Sequence, residues 1–178
     1  MRPVFLIGFM GTGKSTLGRA LAARRRHLRF VDLDEAAEAI LGRTASEAFA
    51  AGDAESFRKA ESEALAQVAG SADVVVACGG GTPCFGRNMD MMLEAGTVVR
   101  LTANPERLLR RLAEAPAGQR PLLAGLTGEG LRRRVDELQR QREAFYSRAH
   151  ATFDASELET PEEVDRTCGK FTELFLKN

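Results

Sequence analysis

Several residue types that mark particular protein classes are scarce in this chain. Its 178 residues include no tryptophan, one tyrosine and three cysteines, and lysine plus arginine equal aspartate plus glutamate at 25 each. An odd number of cysteines without a CxxC motif favours reduced thiols in a cytoplasmic protein over a disulfide framework. Zero net charge argues against a nucleic-acid partner. Apolar runs are too short to span a membrane, and the first apolar run begins too early for a signal peptide. We therefore expect a cytoplasmic protein without membrane or nucleic-acid partners. We also expect a monomer that binds small-molecule substrates.

One glycine-rich stretch lies near the N-terminus, between an apolar run and a helical pattern. It fits the template of Gly, four residues and then Gly-Lys-Ser without a mismatch. The full stretch is Gly8-Phe9-Met10-Gly11-Thr12-Gly13-Lys14-Ser15-Thr16. Because it follows a predicted strand at 4–7 and opens a helix, it has the context of a phosphate-binding loop.

The chemistry of such a loop is electrostatic. Glycines let consecutive backbone N–H groups point into one concavity, and the following helix adds its positive end. Lys14 can reach the β- and γ-phosphates, and the Ser15 hydroxyl can ligate Mg²⁺. We predict that the chain binds a nucleoside triphosphate. The predicted ATP-binding residues of the loop are Gly11, Thr12, Gly13, Lys14, Ser15 and Thr16.

Short apolar runs alternate with longer helical segments along the rest of the chain. Strands are predicted at 4–7, 28–31, 73–77, 97–101 and 152–154. About eight helices lie between and after them, including a long one over 131–150. This alternation predicts one α/β domain over 1–178, with a five-stranded parallel sheet in a three-layer α/β/α arrangement. The segment from about 114 to 125 has no helical period, which is typical of a functional loop.

The acidic residues after the second strand narrow the class of phosphate-loop protein. Asp32 and Asp34 fall at the carboxyl end of a strand, where open α/β sheets bind ligands. The Asp-x-x-Gly and Asn-Lys-x-Asp motifs of GTPases do not occur in the expected places. A motor-type ATPase would be larger. A kinase of nucleotides or small metabolites is therefore favoured.

An ordered set of short motifs resembles the shikimate kinase family, a group related to the nucleoside monophosphate kinases. The resemblance covers about residues 4–150. Besides the phosphate loop, the matching elements are Asp32-Leu33-Asp34, Phe57-Arg58 with Glu61, Gly79-Gly80-Gly81, Arg120-Pro121-Leu122-Leu123, and Arg142 four residues before Tyr146.

The resemblance implies ATP-dependent phosphorylation of the 3-hydroxyl of shikimate, with Mg²⁺ as cofactor. It implies that Asp34 binds the acceptor hydroxyl and takes its proton. It also implies that Asp32, beside Ser15, helps to hold the Mg²⁺ shell. Arg58 and Arg142 match the family's arginines that bind the shikimate carboxylate, and guanidinium groups suit a planar carboxylate because they bind it in bidentate fashion. Glu61 lies one helical turn after Arg58 and could hold that guanidinium in place.

Two further parts of the site are implied. Gly79, Gly80 and Gly81 follow a strand directly, so their backbone could approach the substrate closely. Arg120 resembles the family's lid arginine, which contacts the ATP phosphates; with Lys14 and Asp34 it completes the predicted catalytic set. The predicted lid is about 114–125, and the substrate-binding helical part about 33–62.

Two alternatives remain open. A gluconate-type kinase shares the phosphate loop but has a histidine soon after the Asp-x-Asp, which is missing here, and does not need this arginine set. A catalytically silent nucleotide-binding module would be free to lose Lys14, Ser15 or Asp34, and all three are intact. An assay of acceptor dependence separates the three hypotheses.

Overall fold

A parallel five-stranded sheet forms the centre of the protein. The computed structural model describes residues 1–115 and 121–176. The strands are β1 Val4–Ile7, β2 Arg29–Asp32, β3 Val74–Ala77, β4 Thr97–Thr102 and β5 Ala151–Asp154. Their order across the sheet is β2-β3-β1-β4-β5, and all four pairings are parallel. The predicted sheet is confirmed, and β1, which leads into the phosphate loop, lies at its centre.

Helices connect the strands and cover both faces of the sheet. In the described part of the chain they are α1 Lys14–Arg24, α2 Leu33–Leu41, α3 Ala45–Ala50, α4 Ala54–Ala69, α5 Asn88–Ala95, α6 Pro105–Ala113, α7 Gly128–Tyr146 and α8 Pro161–Phe175. Two short 3₁₀ turns, Thr82–Cys84 and Pro121–Leu123, lie in the connections. None of these helices is long and apolar enough to cross a membrane.

The alternation of side chains along β1 divides the hydrophobic core into two layers. Val4 and Leu6 pack in one cluster with residues of α1 and α8, while Phe5 and Ile7 pack in the other with residues of α4 and α5. All four are at most 1% exposed. A strand buried on both faces reads as a continuous apolar run, as this one does. The three-layer prediction is therefore confirmed.

The helix ends follow local capping signals, with two differences from prediction. The capping box at Thr44 and the Asn104 cap before Pro105 are present as predicted. However, α2 begins at Leu33 rather than at residue 35, because the Asp32 carboxylate accepts the backbone N–H of Asp34 at 3.2 Å. Asp34 therefore lies in the first turn of a helix.

The second difference concerns the long helix predicted over 131–150. It runs from Gly128 to Tyr146, so it starts and ends earlier than predicted. Beyond it the chain turns into β5, and the His150 N–H donates to the Val98 carbonyl at 2.9 Å. This shift places Arg142 near the end of α7, close to the sheet.

Part of the predicted lid lies outside the described residues, including Arg120. Of its described part, Leu123 is 6% exposed and packs in a cluster with Phe9, Leu108 and Leu131. The lid stays a prediction.

Candidate active site

The phosphate loop leads from β1 into α1 through a backbone that glycine favours. Gly13 has φ 91° immediately before the helix, and a Cβ there would lie 2.4 Å from the Leu158 side chain. No described side chain caps the start of α1. Its first backbone N–H groups are therefore available to an anion, which the helix dipole also favours.

Lys14 lies inside this loop. Its ammonium donates to the carbonyls of Gly8 at 2.9 Å and Phe9 at 2.8 Å. Burial lowers the pKa of Lys14 to about 8, although the nearby carboxylate of Asp34 acts in the opposite direction. A buried ammonium with a lowered pKa is expected to interact strongly with phosphate oxygens, because they would restore the stabilisation of its charge.

Ser15 and Asp32 form a hydroxyl–carboxylate pair below the loop. The Ser15 hydroxyl donates to Asp32 Oδ2 at 2.7 Å. Mg²⁺ prefers oxygen ligands and is usually held by one or two side chains together with phosphates and water. The described residues contain no cluster of three or more His, Cys, Asp or Glu that could hold a metal by itself. The pair fits Mg²⁺ brought in with a nucleotide better than a permanently bound metal ion.

Asp34 lies half-buried at the start of α2 and faces the same space. Burial, reinforced by the charges of Glu61 and Asp32, raises the pKa of Asp34 to about 7, while Lys14 and Arg58 act in the opposite direction. A carboxyl group with this pKa can take up or release a proton near neutral pH, which suits a general base.

We expect Asp34→Asn to gain stability relative to the parent as the pH rises from about 5 to about 7.5. Folding raises the pKa of Asp34 from an ordinary value of about 3.9, so the folded state holds the proton more tightly than the unfolded state. That contribution is complete below about pH 4 and is lost as the pH rises through about 7. Asparagine does not titrate and escapes this loss. The difference in melting temperature between Asp34→Asn and the parent, measured in the presence of a chelator from about pH 5 to about pH 7.5, tests this expectation.

The exposed carboxylate of Asp136 provides the control for this measurement. Asp136→Asn should show no comparable change in its melting-temperature difference from the parent. If the melting temperature of Asp34→Asn minus that of the parent is constant with pH, or falls as the pH rises, the raised pKa of Asp34 is contradicted.

Three consecutive glycines allow three functional side chains to approach the backbone. A Cβ on Gly79 would lie 2.5 Å from Asp34 Oδ1, and one on Gly80 would lie 2.8 Å from Arg142 Nη1. A Cβ on Gly81 would lie 2.5 Å from Arg58 Nη2. Any side chain in this segment would displace a predicted substrate-binding group. The glycines are therefore required by close approach.

Glu61 holds Arg58 from the same helix. The Arg58 Nη1 donates to Glu61 Oε2, and the Glu61 side chain is fully buried. The guanidinium also lies 5.5 Å from the Phe49 ring centroid and 5.7 Å from that of Phe57. Carboxylate and rings fix the orientation of the guanidinium, and the predicted Arg58–Glu61 contact is present.

Arg142 approaches the glycines from α7. It is 8% exposed, and its Cζ lies 5.5 Å from the centroid of the Phe9 ring. Its Nη1 is buried and has no hydrogen-bond partner among the described residues. One turn on, the Tyr146 hydroxyl donates to the Gly80 carbonyl at 2.6 Å, which ties α7 to the glycine segment. A buried guanidinium nitrogen without a partner indicates a place for an anionic ligand.

One cavity of about 520 Å³ collects these groups. The predicted site residues that line it are Gly11, Gly13, Lys14, Ser15, Thr16, Asp32, Asp34, Arg58, Gly79, Gly80, Gly81 and Arg142. Thr12 does not: its buried hydroxyl donates to the Phe9 carbonyl at 2.8 Å. Arg120 lies outside the described residues. The volume suits a ligand of small-molecule size.

The cavity also contains residues that the sequence reading did not assign to it. Phe49 and Ser46 come from α3, and Leu158 comes from the turn after β5. Arg111 of α6 also lines the cavity, and its guanidinium donates to the carbonyls of Gly11 at 3.3 Å and Ser156 at 2.7 Å. These contacts join distant segments, so only the amphipathic pattern of α6 could have indicated Arg111 as inward-facing.

This sheet, with a phosphate loop, an acidic pair and two arginines around one cavity, defines a phosphate-loop kinase of a small anionic substrate. Comparison with known proteins agrees. The family model described as shikimate kinase matches residues 10–173. The chain belongs to the shikimate kinase family.

Individual relatives support this over nearly the whole chain. It is similar to the shikimate kinase of Parabacteroides distasonis, with 42% identity over 92% of this chain and 94% of that protein. It resembles the crystal structure of the Bacteroides thetaiotaomicron enzyme with a TM-score of 0.88 and 36% identity, covering 97% of each chain. The Acinetobacter baumannii enzyme in complex with shikimate gives a TM-score of 0.81 and 27% identity, covering 98% of this chain and 93% of that one.

Proposed function

We propose that this protein transfers the γ-phosphoryl group of ATP to the 3-hydroxyl of shikimate, producing shikimate 3-phosphate and ADP. Family membership supports the class of reaction, and the related structure that contains shikimate supports the acceptor. The cavity adds an argument from this chain's own residues.

The buried Nη1 of Arg142 is the single observation that carries the proposal. Leaving such a nitrogen unpaired is costly, since a buried charged donor without a partner loses its hydration without compensation. Its place beside Gly80, in a cavity shared with Arg58, suits a planar carboxylate held by two guanidinium groups. Shikimate is a small ring with one carboxylate and three hydroxyls, which matches that chemistry.

In this proposal the two arginines hold the shikimate carboxylate at one end of the ring, and Asp34 lies at the other end. Asp34 accepts a hydrogen bond from the 3-hydroxyl and takes its proton as the oxygen attacks phosphorus. Because the pKa of Asp34 is raised to about 7, its carboxylate is basic enough for this transfer and is still ionised in part at neutral pH.

The nucleotide lies on the other side, over the phosphate loop. The first N–H groups of α1 and the ammonium of Lys14 stabilise the β- and γ-phosphates. Ser15 and Asp32 would hold Mg²⁺, which neutralises charge on the phosphates when bound. Arg120, known here from the sequence alone, is proposed to contact the phosphates of bound ATP.

The proposal predicts that ADP release with MgATP depends on shikimate. A coupled assay would compare shikimate, gluconate, a nucleoside monophosphate and no acceptor at equal concentrations. In the proposal the arginines and Asp34 bind the two ends of a small ring, so turnover with gluconate or the nucleotide should be at the no-acceptor level. Equal turnover with gluconate would favour the gluconate-type alternative. ATP binding with no turnover of any acceptor would favour a silent nucleotide-binding module.

A further inference from the structure

Thr82 lies immediately after the three glycines and has no place in the proposed mechanism. It is fully buried, and its hydroxyl donates to Glu61 Oε1. The other oxygen of Glu61 accepts from Arg58. One buried carboxylate therefore joins the segment after β3 to the arginine that would bind substrate.

The backbone around Thr82 is held firmly. Its N–H donates to the Gly79 carbonyl at 3.1 Å, and its own carbonyl accepts from the Phe85 N–H at 3.3 Å. The same carbonyl accepts from the Asn88 side chain at 3.0 Å, and Asn88 is 2% exposed. Such anchoring leaves the hydroxyl little freedom, so it fixes the position of Glu61 rather than following it.

The Thr82 hydroxyl holds the Glu61 carboxylate in place next to the carboxylate of Asp34. A Cβ on Gly79 would lie 2.7 Å from Glu61 Oε1 and 2.5 Å from Asp34 Oδ1, so the two carboxylates face the same glycine. Without the hydroxyl, Oε1 would be a buried acceptor facing a second carboxylate. The carboxylate would be expected to rotate away, and Arg58 would lose its fixed orientation.

We propose that Thr82 is a positioning residue for the acidic substrate: its hydroxyl holds Glu61, and Glu61 holds Arg58 in the orientation that binds the substrate carboxylate. This rests on the proposed function, because the carboxylate is that of shikimate. Thr82 touches no reacting atom, so its effect should fall on KM for shikimate and not on the chemical step.

The test compares Thr82→Val, which keeps the shape but removes the hydroxyl, with Thr82→Ser, which keeps the hydroxyl. With saturating MgATP, Thr82→Val should raise KM for shikimate about 10-fold with kcat within about 3-fold of the parent, and Thr82→Ser should stay within about 3-fold in both constants. Should Thr82→Val not fold, Thr82→Ala against Thr82→Ser makes the same comparison.

A matched control removes another buried hydroxyl away from the cavity. Thr167 is 3% exposed on α8 and donates to the Glu157 carbonyl at 2.6 Å. Thr167→Val should leave KM for shikimate unchanged, even where it lowers the melting temperature. A general loss of packing would affect both variants alike.

A second readout uses the methyl ester of shikimate, which lacks the negative charge. The inhibition constant of the ester against shikimate should change less than about 3-fold between parent and Thr82→Val, because the Arg58–carboxylate contact is already missing. Equal effects on acid and ester, an unchanged KM for the acid, or failure of Thr82→Ser to restore it would overturn the inference. A parent that does not turn over shikimate would instead overturn the proposed function.

Discussion

Asp34→Asn should lower kcat with shikimate by roughly 10²-fold or more, because the amide cannot accept the proton of the attacking hydroxyl. Asparagine keeps the size of the side chain and a hydrogen-bonding oxygen. The raised pKa of Asp34, about 7, is the property that the substitution removes. Steady-state kinetics with saturating MgATP would measure the loss.

A lower kcat of Asp34→Asn indicates a loss of proton transfer only if the variant still binds shikimate. Calorimetric titration with shikimate should give a Kd within about 10-fold of the parent's, since the arginines still hold the carboxylate. Asp136→Asn, which alters an exposed carboxylate on α7, is the matched control and should have normal kinetics. Intact binding with near-normal kcat would show that Asp34 only orients the hydroxyl.

Arg142→Ala is expected to lower kcat/KM for shikimate by about 2–4 kcal/mol, or roughly 30- to 1000-fold, since the substrate carboxylate would lose a buried charged partner. KM for MgATP should change less than KM for shikimate, because Arg142 Nη1 lies beside Gly80 and the nucleotide phosphates are bound mainly by the backbone N–H groups at the start of α1 and by Lys14. Arg58→Ala should act in the same direction.

Arg140 provides the control from the same helix. Its side chain is exposed, so Arg140→Ala removes an equal charge from α7 without touching the cavity. Normal shikimate kinetics in Arg142→Ala would show that its buried nitrogen is not a substrate contact. A loss shared equally by Arg140→Ala would indicate a long-range charge effect.

Folding destabilises the charged forms of two neighbouring groups in this site, and their pKa values are shifted in opposite directions as a result. Burial lowers the pKa of Lys14 to about 8 and raises that of Asp34 to about 7, so folding disfavours both charges. Phosphates and Mg²⁺ would restore stabilisation to these groups. Such tuning by environment is common where acid–base and electrostatic roles are placed side by side.

Local sequence was sufficient to predict much of this protein. The strand, glycine loop and helix around Lys14 are determined by neighbouring residues, as are the capping box at Thr44 and the i,i+3 contact of Arg58 with Glu61. The acidic N-cap at Asp32 could also have placed the start of α2 correctly, because Asp is a favoured capping residue.

Contacts between segments that are distant in the sequence could not be predicted from local sequence patterns. Tyr146 meets Gly80 across 66 positions, and Thr82 meets Glu61 across 21. Neither pair has a sequence signature, because each depends on how α4, α7 and the glycine segment pack on the sheet. The start of α7 was not predicted because Gly128 and Gly130 lie in its first turn, and glycine has a low helix propensity.

The central claim is that this cavity orients shikimate by its carboxylate and presents one hydroxyl to the phosphate loop. The position of the phosphate in the product tests it most directly. After incubation of the protein with MgATP and shikimate, ³¹P–¹H correlation NMR of the product should show a single phosphomonoester coupled to the proton on carbon 3. No ester, or an ester on another hydroxyl or on several, would contradict the claim.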